Sequence, residues 1–269
     1  VWMNSAIGRW DESLMNLPWL LCLLALGAAF YAQARIAGAT AVSAMVFCYL
    51  LLSMPLIDTH VALAGYADLF LGACYGAALM ALHNWSVTRQ RWQGGLALVF
   101  ALCCPLIKNE GFYWLLTFIP ALVVVLLPSR LATALLGSIA IAAAVVVALI
   151  PGDVIIAGHS LNHLDPHFHS EAMAGIAAIL WVHDSWHLFF YLLPGLVLLG
   201  LLPGGRRSFG SCAGILTALA TAICLFLILF LFTRFAATAV SFTAVGRISV
   251  QLVPGLVFLA LLLWTKITD

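Results

Sequence analysis

Several groups of ionisable residues interrupt an otherwise apolar chain, and each has a chemistry within reach. In "CPLIKNEGFYW" Lys108, Asn109 and Glu110 stand side by side. A lysine there suits an anionic group, and the asparagine and glutamate suit hydroxyls or a cation. Lys108 and Glu110 are two residues apart, a spacing that does not bring side chains together on a helix, so they are not expected to cancel as a local ion pair. Gly111 follows directly and permits a turn. The competing reading is an interfacial loop whose charges snorkel to water.

In "LIDTHVALAGYADLFLGACYGAAL" Asp58 and His60 suit a membrane interface, whereas Asp68 lies about two turns into an apolar run. An acid inside a span costs about 2.5–3.5 kcal/mol on insertion scales, so it is expected to face a polar cavity or a partner. Otherwise the helix starts later and Asp68 caps it. Tyr66, two residues earlier, is expected on a different helical face. "GRISVQLVPGLVFLA" sets Arg247 at the mouth of the last apolar run, with Gln251 a turn below and Pro254 another turn in. Arginine suits bidentate phosphate binding, and equally an interfacial anchor. Asp11 and Glu12 form an acidic pair that could do base chemistry or complement a helix start. The segment 151 to 185 carries His159, His163, His167 and His169 beside Asp165 and Glu171, a candidate divalent-cation site whose spacing matches no specific metal signature. "WVHDSWHLFF" resembles an interfacial aromatic belt, with His187 able to face a cavity.

The elements that must position these residues are set by composition. The 269 residues are 65% hydrophobic and 8% charged, with a mean hydropathy of +1.13, which predicts an all-α polytopic membrane protein. A net charge of +1 gives no nucleic-acid footprint. The seven cysteines all fall in apolar runs without a CxxC and read as small buried hydrophobes. Stretches of roughly 20 apolar residues predict about nine transmembrane helices, at 17 to 34, 37 to 57, 62 to 82, 94 to 107, 112 to 128, 131 to 150, 186 to 202, 212 to 232 and 250 to 265. They form one transmembrane domain over 1 to 269, with 151 to 185 as the longest outer loop. Asn16-Leu17-Pro18 is the expected start of the first.

Lys and Arg counts orient the bundle. With the first span running inward, seven of eleven basic residues (Arg35, Arg89, Arg91, Arg130, Arg206, Arg207, Lys266) are cytoplasmic. All acids but Asp269 then fall on or near the outer side, with every histidine except His83. The N-terminus of the chain is thus expected outside and the C-terminus inside, with the chemistry on the outer face. The chain starts at Val1 with no signal peptide, and an N-terminal part of a longer protein is expected to be missing.

Three segments in this order, "GYADLFLGACYGAAL", "LCCPLIKNEGFYWLL" and "GRISVQLVPGLVFLAL", resemble the polytopic glycosyltransferases of the C superfamily. The likeness is to the bacterial relatives of protein O-mannosyltransferase and of the lipid A aminoarabinose transferase. The resemblance implies a glycosyltransferase C-like bundle in a bacterial inner membrane. It implies transfer of a sugar from a polyprenyl-phosphate donor to a glycan, lipid or protein acceptor, with or without a divalent cation according to subfamily. On it Lys108 and Arg247 would bind donor phosphate, and Asp68, Glu110, Asp58, His60 and Asn109 would line the sugar or acceptor pocket. The family's catalytic acid follows a first transmembrane helix, and no span precedes Asp11 and Glu12. The base is therefore expected upstream of Val1, and this chain alone is expected to be inactive. The rival class is a transporter or lipid flippase with an acidic and histidine-lined cavity. Against it, the titratable groups crowd one face and no broken span recurs in two halves.

Overall fold

A computed structural model of the chain describes residues 5–6, 8–149, 155–156, 159–160, 167–201 and 210–268. The helices are α1 (Glu12–Ile36), α2 (Ala41–Leu52), α3 (Pro55–Ala62), α4 (Asp68–Thr88), α5 (Arg91–Ile107), α6 (Glu110–Leu126) and α7 (Ser129–Leu149). After a two-residue antiparallel pair, β1 (Ile155–Ile156) with β2 (His159–Ser160), come α8 (Glu171–Ala177) and a π-helical turn, Ala178–Val182. Then follow α9 (Phe189–Leu201), α10 (Ala213–Leu231), α11 (Ala236–Val240) and α12 (Val245–Thr268). The expected all-α class holds for the described residues.

The helix boundaries depart from the apolar runs where local chemistry intervenes. Asp11 caps α1 by accepting a hydrogen bond from the Leu14 amide at 3.1 Å, so the helix begins ahead of the expected Asn16-Leu17-Pro18 start. Pro55 excludes a helical Met54, which is extended at φ −67°, ψ 123°, and splits the expected span 37 to 57 into α2 and α3 with a bend of 57°. Gly65 at φ +143° makes the turn after α3. As a result α4 starts at Asp68, which is the first residue of a helix and not two turns inside one.

Nine full spans are not seen among the described residues. Three helices are long and apolar enough to cross a membrane, Ser13–Ile36, Ala213–Leu231 and Val245–Thr268, and the bent α2–α3 pair makes a fourth if counted as one span. The runs expected at 94 to 107 and 112 to 128 form helices of 17 residues each, rising about 25 Å against a hydrocarbon core of about 30 Å. The turn at Lys108 and Asn109 stops the one and starts the other. In the place of the expected outer loop 151 to 185, residues 171–182 are helical.

The bundle is built around α12, 89% of whose apolar window is buried. Small residues let α4 approach it. A side chain at Gly72 would meet the Val250 carbonyl oxygen at 2.7 Å, and one at Gly76 would meet Pro254 Cβ at 2.6 Å. This Gly-x-x-x-Gly face is the pattern by which helices pack closely in lipid. Outward, Val46, Tyr49, Leu98, Val99, Leu106 and Ile119 are all more than half exposed. So much outward-facing apolar side chain, with a separate packed core behind it, is compatible with a membrane protein.

Candidate functional site: a buried carboxylate that holds two cations

Asp68 lies one turn before Gly72 on the α4 face that meets α12. The close α4–α12 approach therefore carries its carboxylate against the start of α12. Asp68 is 0% exposed. Its Oδ2 accepts from Arg247 Nε at 3.0 Å, and its Oδ1 accepts from Lys108 Nζ at 2.8 Å and from Gln251 Nε2. Gln251, one turn below Arg247, in turn accepts from the Trp114 indole at 2.6 Å. Tyr75 stacks on Trp114 with ring centroids 5.6 Å apart and shares a 2.9 Å hydrogen bond with Thr117, closing the polar cluster towards the core.

The α5–α6 hairpin delivers Lys108. A side chain at Gly111 would lie 2.0 Å from the Cys104 carbonyl oxygen, so the two helices can turn this tightly only over a glycine. Lys108 is extended at φ −159°, ψ 152° and therefore outside both helices. That geometry overturns the expectation that Lys108 and Glu110 stay apart, since Nζ reaches Glu110 Oε1 at 2.8 Å. The spacing rule applies to helical residues, and Lys108 is not one. Tyr66 likewise precedes α4 instead of sitting on another of its faces, and the Arg247 guanidinium lies 4.3 Å from the centroid of its ring. The Tyr66 carbonyl is in turn held by the Trp19 indole at 2.9 Å.

The cluster holds two cations and two carboxylates. Asp68 lies deepest: its side chain is fully buried, whereas Lys108, Glu110 and Arg247 are 23%, 29% and 37% exposed. Arg247 spends only Nε on Asp68 among the described residues, leaving both terminal amino groups for a ligand. Two N–H groups in one plane are the fork that fits phosphate or carboxylate.

The structure gathers Tyr66, Asp68, Lys108, Glu110 and Arg247 into this cluster. His60 is buried near its edge, its ring 6.1 Å from that of Tyr66, with Nδ1 donating to the Leu56 carbonyl at 2.8 Å. Asp58 and Asn109 are exposed, and the side chains that hydrogen-bond Asp68 are instead Lys108, Arg247 and Gln251. Asp11 serves as the α1 cap and pairs with Arg9 at 3.5 Å, and Glu12 opens the helix. The His167 and His169 rings lie 3.8 Å apart, tilted by 42°, and His169 Nδ1 meets Glu171 at 3.1 Å, apart from the Asp68 cluster. The His159 side chain and all of His163 lie outside the described residues. Among the described residues no three His, Cys, Asp or Glu side chains are grouped to hold a metal ion. Gln251, Trp114 and Trp19 were not expected at the site. Gln251 had a signal, a lone amide in an apolar helix one turn from Arg247, whereas the two tryptophans read as ordinary apolar residues.

No family model, curated protein or solved structure matches the chain.

Proposed function

We propose that the chain is the membrane-embedded part of a glycosyltransferase that moves a sugar from a polyprenyl-phosphate donor to a glycan, lipid or protein acceptor, with Lys108 and Arg247 as the donor-phosphate ligands. The observation that carries the reading is that Lys108 and Arg247 converge on the Asp68 carboxylate, the three residues coming from distant segments. The same three residues carry the sequence resemblance to the C-superfamily enzymes. On this reading the chain belongs to a glycosyltransferase C-like bundle of up to nine spans in a bacterial plasma membrane, with the Asp68 end outward.

The chemistry is electrostatic. Breaking the bond between the sugar and the phosphate builds negative charge on the leaving oxygen, and fixed cations in a water-poor site lower the barrier. Asp68 and Tyr66 aim the Arg247 fork, and Glu110 and Asp68 hold the ammonium. Both carboxylates are paired to cations, so they position the cations and do not serve as the base. A relay transporter would need polar groups that continue across the bundle. The buried contact of Asn84 with Gln33 at 2.6 Å, beside the buried His83, is four turns along α4 from Asp68, and α12 is apolar from Leu252 to Leu263.

The test is label transfer from a polyprenyl-phosphate-linked radioactive sugar into acceptor in membranes carrying the full-length protein. Arg247→Ala and Lys108→Ala are each expected to lower the rate about a hundredfold with unchanged membrane content. Wild-type rates in both variants would remove the donor-phosphate assignment.

A further inference from the structure

Arg89 Nη2 donates to the Val125 carbonyl in the last turn of α6 at 3.1 Å. The α4–α5 and α6–α7 turns therefore meet at one end of the bundle. Asp68 opens α4 and Arg89 follows its last residue, which separates them by about 30 Å along the helix, the thickness of a hydrocarbon core. In a chain that spans a bilayer, the two turns lie at the interface opposite the Asp68 cluster.

Arginine is a costly residue at position 89. Its φ is +57°, at the helix end where glycine is the easy choice. Strain of this kind, kept by the fold, points to the side chain as its reason. The Arg89 guanidinium lies 5.4 Å from the centroid of the Trp85 ring, and beyond the Val125 bond its N–H groups make no hydrogen bond among the described residues. Arg91 opens α5 and Arg130 is the second residue of α7, and both are exposed. The sequence has no acidic residue from Leu69 to Asn109 or from Gly111 to Leu149. Nothing in these segments neutralises the three arginines. Leading away from them down α5 is an apolar stripe. Trp92, Val99 and Leu106 are seven apart and so lie on one line of the helix, 51%, 57% and 85% exposed. The Trp92 indole donates to Gln90 Oε1 at 2.8 Å, as suits a tryptophan at a membrane interface.

We propose that Arg89, Arg91 and Arg130 bind the phosphate of an anionic phospholipid whose acyl chain lies along the Trp92, Val99 and Leu106 stripe. Guanidinium groups fit phosphate through paired N–H donors, and clustered arginines at an interface attract anionic lipid. A soluble anion would use the arginines but not the stripe. The bound lipid bridges the α4–α5 and α6–α7 turns and is independent of the sugar-transfer reading.

The experiment titrates the full protein in neutral detergent with phosphatidylglycerol or with phosphatidylcholine of the same chains, and counts bound lipid by native mass spectrometry. Phosphatidylglycerol is expected to bind at least about tenfold more tightly, since each arginine engaged adds about fivefold. Arg89→Gly should cut that preference about fivefold while staying folded, because glycine suits φ +57°. Arg91→Gln should cut it as much. Arg234→Gln is the control: Gly214 near the start of α10 packs on Val125, so the exposed Arg234, beyond the end of α10, lies at the opposite end. It should leave the preference unchanged. Equal binding of the two lipids, or a preference untouched by both Arg89→Gly and Arg91→Gln, overturns the proposal. An equal loss in Arg234→Gln would show general charge attraction and overturn it as well. Displacement of the lipid by excess inorganic phosphate would identify a free-anion site and overturn the lipid assignment.

Discussion

Asp68 accepts hydrogen bonds from three side chains and is fully buried, so its charge is tolerated only while its partners remain. Removing one partner of a buried pair costs about 3–5 kcal/mol because the remaining charge is stranded. Arg247→Met is the sharper test than truncation to alanine, because it keeps much of the stem and removes one of the two cations that hold the buried carboxylate. It is expected to destabilise the protein in detergent by about 3 kcal/mol, read as a lowered thermal unfolding midpoint. Gln251→Leu deletes the bonds to Asp68 and Trp114 but no charge, and should cost about 1–3 kcal/mol in the same assay. If the two variants melt alike, the charge pairing is not what holds the cluster. The acid, the lysine and the arginine were legible in the sequence because charge in an apolar run is conspicuous. The Lys108–Glu110 pair was not, since it depends on one residue being extended.

At the scale of the element, the apolar runs identified most helices but not where they stop. Hydropathy changes little across Pro55 or Gly65, yet the one bends the expected second span and the other delays α4 to Asp68. The face of α4 that packs on α12 is set by Gly72 and Gly76, whose spacing is visible in the sequence but whose partner is not. Enlarging either forces the helices apart. Gly72→Val is expected to cost about 3 kcal/mol by overpacking and also to weaken donor use, because Asp68 and Arg247 separate with the helices. Gly95→Val, where nothing lies within 4 Å of an added side chain, should leave stability unchanged or raise it by a few tenths of a kcal/mol, because valine is the better helix former of the two. Matching unfolding midpoints for the two variants would show that the α4–α12 approach is looser than the Gly72 geometry requires.

For the whole molecule the question is which solvent the outer surface meets. Composition alone predicts lipid, and the structure adds which faces look outward. Val99, midway along α5, is 57% exposed with a packed core behind it. In water, arginine at such a position would be nearly neutral. In hydrocarbon it costs about 2.5–3.5 kcal/mol, reduced where the side chain reaches the interface. Relief is least at the helix centre, the position farthest from both interfaces. Val99→Arg is therefore expected to lower the amount of protein retained in carbonate-washed membranes severalfold, whereas Lys108→Ala at the end of the same helix leaves retention unchanged. Equal retention of Val99→Arg and wild type would mean that α5 turns this face to protein or water. The apolar belt would then be an interface between chains and not a lipid boundary.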